Sequence, residues 1–292
     1  MTLLALASAL RESFLVMLQP ELWEKGSRMT TLGNKFCMEK YNHLITWKDN
    51  ESILELGIGD GGNSRISLWP YIPNNFKEFI GTDVSESMVE YVKKKVTHEK
   101  MKFMVLDFAS PTIPLEFEGR FDHIFSFIVL HWIRDLKQAF SNLYKMLKPG
   151  GEIFLIFFER SSADEIYDYL SKHPKWSKYG HEKLISPFHF HENPLKEYEK
   201  VLKESPFTDY HFEVENWSYS FPNEQAFEDL FFSINPIINK IPQEDVDEYK
   251  SLYIGKMKSN NLNWITECEN TGKKVFNSQL KLFILVAKKP DI

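Results

Sequence analysis

The sequence predicts an α/β fold built on a doubly wound, mostly parallel sheet. Five short apolar segments recur along the first half of the chain, separated by polar segments or by segments with helical spacing. Strands that alternate with helices in this way are typical of a parallel sheet covered on both faces. Two further apolar segments near the C-terminus predict that the last strand closes the sheet in antiparallel orientation.

The strands and helices of the first half can be placed from local signals. Ser85 is expected to begin a helix that runs to Lys95. A second helix is expected from Asp135 to Met146, and it should stop at Lys148-Pro149-Gly150-Gly151. The five strands are expected at 52–56, 78–83, 102–107, 121–127 and 151–158.

The rest of the chain is expected to complete one domain. Residues 46–292 would form the core, with a helical insertion at about 223–262. Alternating and apolar patterns predict strands at 210–221 and 280–288 on either side of the insertion. No repeat or linker argues for independently folded domains.

Composition limits the classes of function. Hydrophobic residues make up 43% and charged residues 26%, as in an ordinary globular protein. The net charge of −6, with scattered Lys and Arg, makes nucleic acid a poor candidate partner. The 24 Phe indicate a Phe-rich core or, more specifically, an apolar pocket. The expected partner is therefore a small lipophilic molecule.

Cysteine content and hydropathy bear on location and metals. Cys37 and Cys268 are too few and too distant for a disulfide framework or a zinc site, which favours a cytoplasmic protein. His181, His189 and His191 lack the spacing of metal ligands, so no metal is expected. No apolar run approaches the roughly 18 residues that span a bilayer, so we expect no membrane insertion. A monomer or a homodimer is expected.

A glycine-rich turn follows the first strand. Gly57, Gly59 and Gly62 let the backbone turn sharply and approach a ligand, as in Rossmann-like folds. Asp83, at the end of the second strand, is placed to accept hydrogen bonds from both hydroxyls of a ribose. This spacing suits both the NAD of an oxidoreductase and the S-adenosylmethionine of a methyltransferase.

The residues around the turn favour S-adenosylmethionine. Glu55 directly precedes the glycines, where a carboxylate suits an ammonium and a sulfonium and would repel a pyrophosphate. Asp107 and Phe108 follow the third strand and suit the amino group and ring of adenine. Each residue also has a simple structural interpretation, since Asp83 and Asp107 can cap turns and Phe108 can belong to the core. Their joint order along the chain favours the methyltransferase.

Several longer segments extend this pattern: Gly81-Thr82-Asp83-Val84-Ser85 with Met88, Val105-Leu106-Asp107, Phe121-Asp122-His123 with Phe125-Ser126-Phe127, Leu130-His131-Trp132, Ile185-Ser186-Pro187-Phe188-His189 and Asn235-Pro236. From about Trp23 onward, the chain resembles the class I methyltransferases and, within them, the insect juvenile hormone acid methyltransferases. The resemblance implies methyl ester formation on a long isoprenoid carboxylic acid, with S-adenosylhomocysteine as the second product.

The resemblance also implies a set of site residues. We expect the cofactor to be bound by Glu55, Gly57, Gly59, Asp83, Val84, Met88, Asp107, Phe108 and Ser126. We expect the substrate to contact Trp23, Thr30, Phe127, Trp132 and His189, with Trp132 facing its oxygen. Residues 1–45 are expected to form a helical lid, with one helix over 2–19 and helical material over 21–44.

The acceptor remains open between two chemistries. A carboxylate is ionised at neutral pH and needs no base, whereas a phenol, with a pKa of about 10, gains from one. His131 and His189 are the candidate bases, and the alternatives for His131 are that it orients the acceptor or holds the backbone near the cofactor. Thr30 stands where the family carries a glutamine that helps to hold the substrate carboxylate, and the chain has a stretch before Trp23 that the family does not need. A non-catalytic protein that binds lipophilic ligands is a further alternative.

Overall fold

The computed structural model describes residues 20–268 and 272–291, so the helix expected over 2–19 lies outside the described residues. The described chain divides into two compact units. One unit contains residues 20–26, 161–185 and 220–278 without the undescribed 269–271, and the other contains 27–160, 186–219 and 279–291. The lid and the insertion expected from the sequence remain predictions.

The sheet has the predicted architecture. Its strands are β1 (Ser52–Leu56), β2 (Glu78–Asp83), β3 (Met101–Val105), β4 (Phe121–Phe127), β5 (Leu147–Phe158), β6 (Asp209–Ser220), β7 (Asn263–Glu267) and β8 (Lys274–Lys288). The order is β3-β2-β1-β4-β5-β8-β6, and β1 to β5 are parallel. The C-terminal half of β8 lies antiparallel to β5, with Glu152 opposite Lys288. The fold class predicted from the sequence is therefore confirmed.

Some strand bounds differ from the prediction. The third strand ends at Val105, two residues before Asp107, because the Leu106 N–H makes the last bond to β2, at the Asp83 carbonyl, and Asp107 already begins a turn. The fifth strand begins at Leu147, since this residue already pairs with the start of β4 ahead of an irregularity in the register. The last strand begins at Lys274, because its first five residues pair with β7, which the sequence did not predict.

The α-helices of the described residues are α1 (Pro20–Gly26), α2 (Arg28–Tyr41), α3 (Gly62–Ser67), α4 (Glu86–Lys95), α5 (Leu136–Met146), α6 (Ser162–Lys172), α7 (Pro194–Glu204), α8 (Glu224–Ser233) and α9 (Val246–Lys258). The predicted starts of α4 and α5 are confirmed. The Ser85 hydroxyl accepts the Met88 N–H at 3.3 Å, and Asp135 accepts the Gln138 N–H at 2.9 Å. No described helix is long and apolar enough to cross a membrane.

The core of the sheet-bearing unit positions the site. Leu54, Ile124 and Leu155, from the middle of β1, β4 and β5, are buried with Phe140 and Leu143 of α5. Burial of these large apolar side chains fixes the strands relative to one another. The carboxyl ends of β1, β2 and β4 then meet at one edge, where ligands bind in open parallel sheets.

Candidate active site

The turn after β1 requires glycine. Gly57, Gly59 and Gly61 have φ values of +73°, +57° and +77°, in the left-handed region that L side chains avoid. A Cβ on Gly57 would lie 2.2 Å from Cγ2 of Val129. The Gly57 N–H donates to the Thr82 carbonyl at 2.7 Å, which ties the turn to the end of β2. The turn is therefore closely packed on both sides and held against the sheet.

Glu55 is a buried acid with a half-satisfied carboxyl group. Its side chain lies beneath the turn, and the residue is 1% exposed. The Ser64 hydroxyl of α3 donates to Oε1 at 2.7 Å, while Oε2 has no hydrogen-bond partner among the described residues. Burial raises the pKa of Glu55 to about 8, against the smaller opposing effect of the Ser64 bond. The carboxyl group is thus suited to a cationic ligand that donates to Oε2.

Asp83 is held across the turn by backbone donors. One of its carboxylate oxygens accepts the Gly59 N–H at 3.0 Å, and the other accepts the Ser85 N–H at 2.9 Å. Burial raises the pKa of Asp83, although these backbone bonds act in the opposite direction. Of its neighbours, Val84 is exposed and Met88 is fully buried. Asp83 and Val84 are therefore placed at the surface of the site, and Met88 lies below it.

The adenine-side residues occupy different environments. Asp107 is half-buried, accepts the Ala109 N–H at 2.9 Å, and has its pKa raised by burial. Phe108 is 4% exposed and belongs to the hydrophobic core, and Asn142 donates to its backbone carbonyl at 2.8 Å. Asp107 is therefore partly accessible to a ligand, whereas the ring of the adjacent Phe108 packs in the hydrophobic core.

The end of β4 is strained. The buried Ser126 hydroxyl donates to the Leu56 carbonyl at 2.9 Å, which joins β4 to β1 at the turn. Phe127 is buried, and Ile128 after it has a φ of +58°. A β-branched residue in this region is a genuine outlier, and such strain gathers at functional sites. The sequence carried no signal for it, because left-handed positions favour Gly or Asn.

His131 lies in a buried aromatic setting. It is 1% exposed, with ring centroids at 4.9 Å from Trp132 and 4.8 Å from Phe158. Neither ring nitrogen has a hydrogen-bond partner among the described residues. Burial lowers the pKa of His131 to about 3, so the imidazole is neutral at physiological pH. A neutral imidazole carries one N–H donor and one acceptor.

The remaining expected substrate residues are more scattered. The buried Thr30 hydroxyl donates to the Ser27 carbonyl at 2.8 Å. His189 lies in a turn, where its backbone N–H donates to the Ser186 carbonyl at 3.1 Å. Trp23 belongs to α1, in the other compact unit. Within the sheet-bearing unit, hydrogen bonds tie the expected cofactor residues Asp83 and Ser126 to the glycine turn and to β1, and Ser64 joins this group through Glu55 although the sequence analysis had not singled it out.

Comparison with known proteins agrees with this geometry. A family described as a methyltransferase domain matches residues 54–155, which span β1 to β5 and the glycine turn. This stretch of the chain is a class I S-adenosylmethionine-dependent methyltransferase domain. It is similar to the juvenile hormone acid O-methyltransferases of Drosophila melanogaster, at 29% identity over 279 residues, and of Bombyx mori, at 29% over 253 residues. These alignments cover 94% and 86% of this chain, and 93% and 89% of the relatives.

Solved structures share the fold. The YcgJ protein of Bacillus subtilis is 18% identical with a TM-score of 0.52, and the alignment covers 87% of this chain and 98% of that one. Phosphoethanolamine N-methyltransferase 2 of Haemonchus contortus, solved with S-adenosylhomocysteine, is 18% identical with a TM-score of 0.50, covering 88% and 53%. At this identity the likeness shows the fold alone.

The residues present fit S-adenosylmethionine. The unpartnered oxygen of Glu55 suits a cationic group, and the glycine turn leaves no room for a side chain. Asp83 and Asp107 stand at the ends of β2 and β3, where the ribose and adenine would be held. When bound, the cofactor supplies an electrophilic methyl group on a sulfonium. The choice that the sequence left between two cofactors is therefore settled against NAD.

Proposed function

We propose that the protein is an O-methyltransferase that esterifies the carboxylate of a small lipophilic acid, in the manner of a juvenile hormone acid or farnesoic acid. The names of the two insect relatives describe such an acid as their substrate. The observation that carries the choice of a carboxylate is the buried, neutral His131 beside the strained end of β4.

His131 is poorly suited to activate a phenol. A phenol has a pKa of about 10, so it must lose its proton before or during the transfer. An imidazole whose pKa is lowered by burial to about 3 is too weak a base to take up that proton readily. A carboxylic acid, with a pKa of about 4, is already ionised at neutral pH. The electrostatics of His131 therefore favour an acceptor that needs no base.

His131 is well suited to orient a carboxylate. Its N–H has no acceptor among the described residues, and buried polar groups of native proteins are nearly always paired. An acceptor carboxylate would supply the missing oxygen, with the indole N–H of the adjacent Trp132 as a second donor. Thr30 would not provide a donor, because its hydroxyl is already bonded to the Ser27 carbonyl. Recognition of the carboxylate would thus rest on positions 131 and 132 in place of 30.

Positioning is the main catalytic task for this reaction. Methyl transfer is an in-line displacement, so alignment of the nucleophile and exclusion of water lower the barrier more than acid–base chemistry does. Two donors on consecutive residues, of which His131 packs against Phe158, would fix the direction of the attacking oxygen. The burial of His131 would keep water away from one of them, while Trp132 is half-buried.

An acceptor panel tests the proposal. Purified protein is incubated with labelled S-adenosylmethionine and an isoprenoid acid, a fatty acid or a phenol of similar lipophilicity. With S-adenosylmethionine saturating at every pH, we expect methyl esters from the acids, with a rate that is nearly constant from pH 6 to 9. Transfer to the phenol alone, with a rate that rises with pH, would refute the carboxylate. Calorimetric binding of an acid without any turnover would indicate the non-catalytic binding protein.

Two variants at one position separate orientation from base catalysis. His131→Gln keeps a donor and should retain most of the kcat, whereas His131→Leu should lose on the order of 10²-fold, as when a single oriented donor is removed. The leucine variant should melt no lower than the wild type, because it replaces a buried polar ring that has no partner. Equal losses in both variants would contradict the orienting role.

A further inference from the structure

Asn34 of α2 has an unpartnered acceptor in a buried place. The residue is 2% exposed, and its side-chain NH₂ donates to Oδ1 of Asn63 at 2.9 Å. Its own carbonyl oxygen, Oδ1, has no hydrogen-bond partner among the described residues. A buried carbonyl left unpaired costs free energy, so such an atom is expected to meet a donor in the functional state.

The position of Asn34 links it to Glu55. Asn63, which holds the Asn34 amide, and Ser64, which holds the Glu55 carboxyl group, are consecutive residues of α3. Ser67 on the same helix donates to the Thr31 carbonyl at 3.1 Å and thereby fixes α2 against α3. Two buried and unpartnered acceptor oxygens, one neutral and one acidic, are therefore anchored on neighbouring residues just after the glycine turn.

The chemistry of the acceptor atom selects the ligand. An ionised substrate carboxylate has no proton to donate and would be repelled by a carbonyl oxygen. The adenosine part of the cofactor already has acidic partners at the ends of β2 and β3, in Asp83 and Asp107. The α-ammonium of its amino-acid part carries three N–H donors, of which Glu55 can accept one through Oε2.

We propose that the side-chain oxygen of Asn34 binds the α-ammonium of S-adenosylmethionine together with Glu55. Asn34 lies one helical turn after Thr30, so both face the same side of α2. Helix α2 thus serves the cofactor through Asn34, whatever the methyl acceptor is. Asn34 is a binding residue that holds the amino-acid end of the cofactor.

Two ligands test this role by calorimetry. S-adenosylhomocysteine carries the amino-acid part, and 5′-methylthioadenosine has the same adenosine and sulfur without it. Asn34→Leu, which is close in shape, should weaken S-adenosylhomocysteine about 10- to 100-fold, as expected for a hydrogen bond to a charged group. The affinity for 5′-methylthioadenosine should change by less than about twofold, because that ligand has no ammonium.

Controls separate binding from packing. Ser67→Ala removes the hydroxyl that bonds to the Thr31 carbonyl and lies 3.2 Å from Asn63 Oδ1, but it leaves the Asn34 amide bonded to that same Asn63 oxygen. It should change both affinities by less than about twofold, so it measures what loosening the contact between α2 and α3 does by itself. Equal weakening of both ligands by Asn34→Leu, or no weakening of either, would overturn the proposal. Asn34→Ser gives the same comparison if the leucine variant does not fold by circular dichroism. Failure of the wild type to bind S-adenosylhomocysteine would instead contradict the assignment of S-adenosylmethionine as the cofactor.

Discussion

Replacing Glu55 with glutamine should make the ligand-free protein more stable while it weakens cofactor binding. Glutamine has the shape of the protonated acid, and its oxygen can still accept the Ser64 hydroxyl that now bonds to Oε1 at 2.7 Å. The variant differs from the wild type in that it cannot ionise. Any difference that depends on pH therefore reports the titration of Glu55.

The size of the effect follows from the shift in pKa. Burial raises the pKa of Glu55 from 4.5 to about 8, so the folded state holds a proton that the unfolded chain has lost. The free energy of unfolding must therefore fall as pH rises from 4.5 toward 8 and level off above that. At pH 7, keeping Glu55 buried lowers the free energy of unfolding by about 3 kcal/mol, because pH 7 lies about 2.5 units above the unfolded pKa and each unit is worth roughly 1.4 kcal/mol.

Urea denaturation of both proteins at pH 5, 6, 7 and 8 measures this cost. The free energy of unfolding of the variant should exceed that of the wild type by less than about 1 kcal/mol at pH 5 and by about 3 kcal/mol at pH 7. Similar m-values would show that the comparison concerns the folded state. If the difference between Glu55→Gln and the wild type is constant across this range, the carboxyl group is not buried as described.

Cofactor binding should respond in the opposite direction. An ammonium near Glu55 favours the ionised carboxylate, so binding to the wild type should release a proton below pH 8 and tighten as pH rises toward that value. The variant should bind S-adenosylhomocysteine at least about 10-fold more weakly. The affinity of the variant also changes with pH, because the ligand itself titrates. The difference between the affinity profiles of the wild type and the variant therefore reports Glu55 alone.

Four other substitutions should have distinct effects. Gly57→Ala should lower the free energy of unfolding, measured in urea, by at least about 2 kcal/mol, because it combines a positive φ with a clash against a valine methyl. The matched control is Gly119→Ala, which also has a positive φ but has nothing within 4 Å of the added Cβ, and it should cost about 1 kcal/mol. Asp83→Asn should weaken S-adenosylhomocysteine and 5′-methylthioadenosine alike in calorimetry, since both contain the ribose. Burial alone would lower the pKa of His123, but its ion pairs with Glu152 and Glu51 hold that pKa above its usual value. Its stabilising effect is therefore complete below about pH 6.5 and is lost as pH rises through the raised pKa. His123→Gln should accordingly lower the free energy of unfolding most at pH 6 and progressively less as pH rises, as measured in urea.

The parallel strands were predictable because each one corresponds to a short apolar run in the sequence. β1, β2 and β4 have the bounds expected from their apolar runs, and the caps at Ser85 and Asp135 mark the helices that follow. By contrast, α3 has a short polar sequence without helical periodicity, and it is held partly by the bond from Ser64 to Glu55. Helix α6 did carry a signal, the capping box that begins at Ser161.

The site was predictable in its residue types but not in their state. The order of acids at or just after strand ends predicts Glu55, Asp83 and Asp107 as cofactor residues, and the topology of the sheet brings those ends to one edge. Burial depends on what the rest of the chain covers, so the sequence did not reveal the neutral imidazole of His131. The unpartnered oxygen of Asn34 was equally unpredictable, because it becomes buried only when α2 packs against α3.

The backbone at Ile128 has a consequence for protein engineering. Relief of a left-handed φ at a β-branched residue is worth on the order of 1–2 kcal/mol, which glycine would recover except for the lost packing of the isoleucine side chain. Ile128 is itself buried, so a glycine there would lose at least as much packing free energy as the backbone would gain. A campaign for thermal tolerance should therefore leave position 128 unchanged, since a change there would cost packing and would also alter the backbone just before His131 and Trp132.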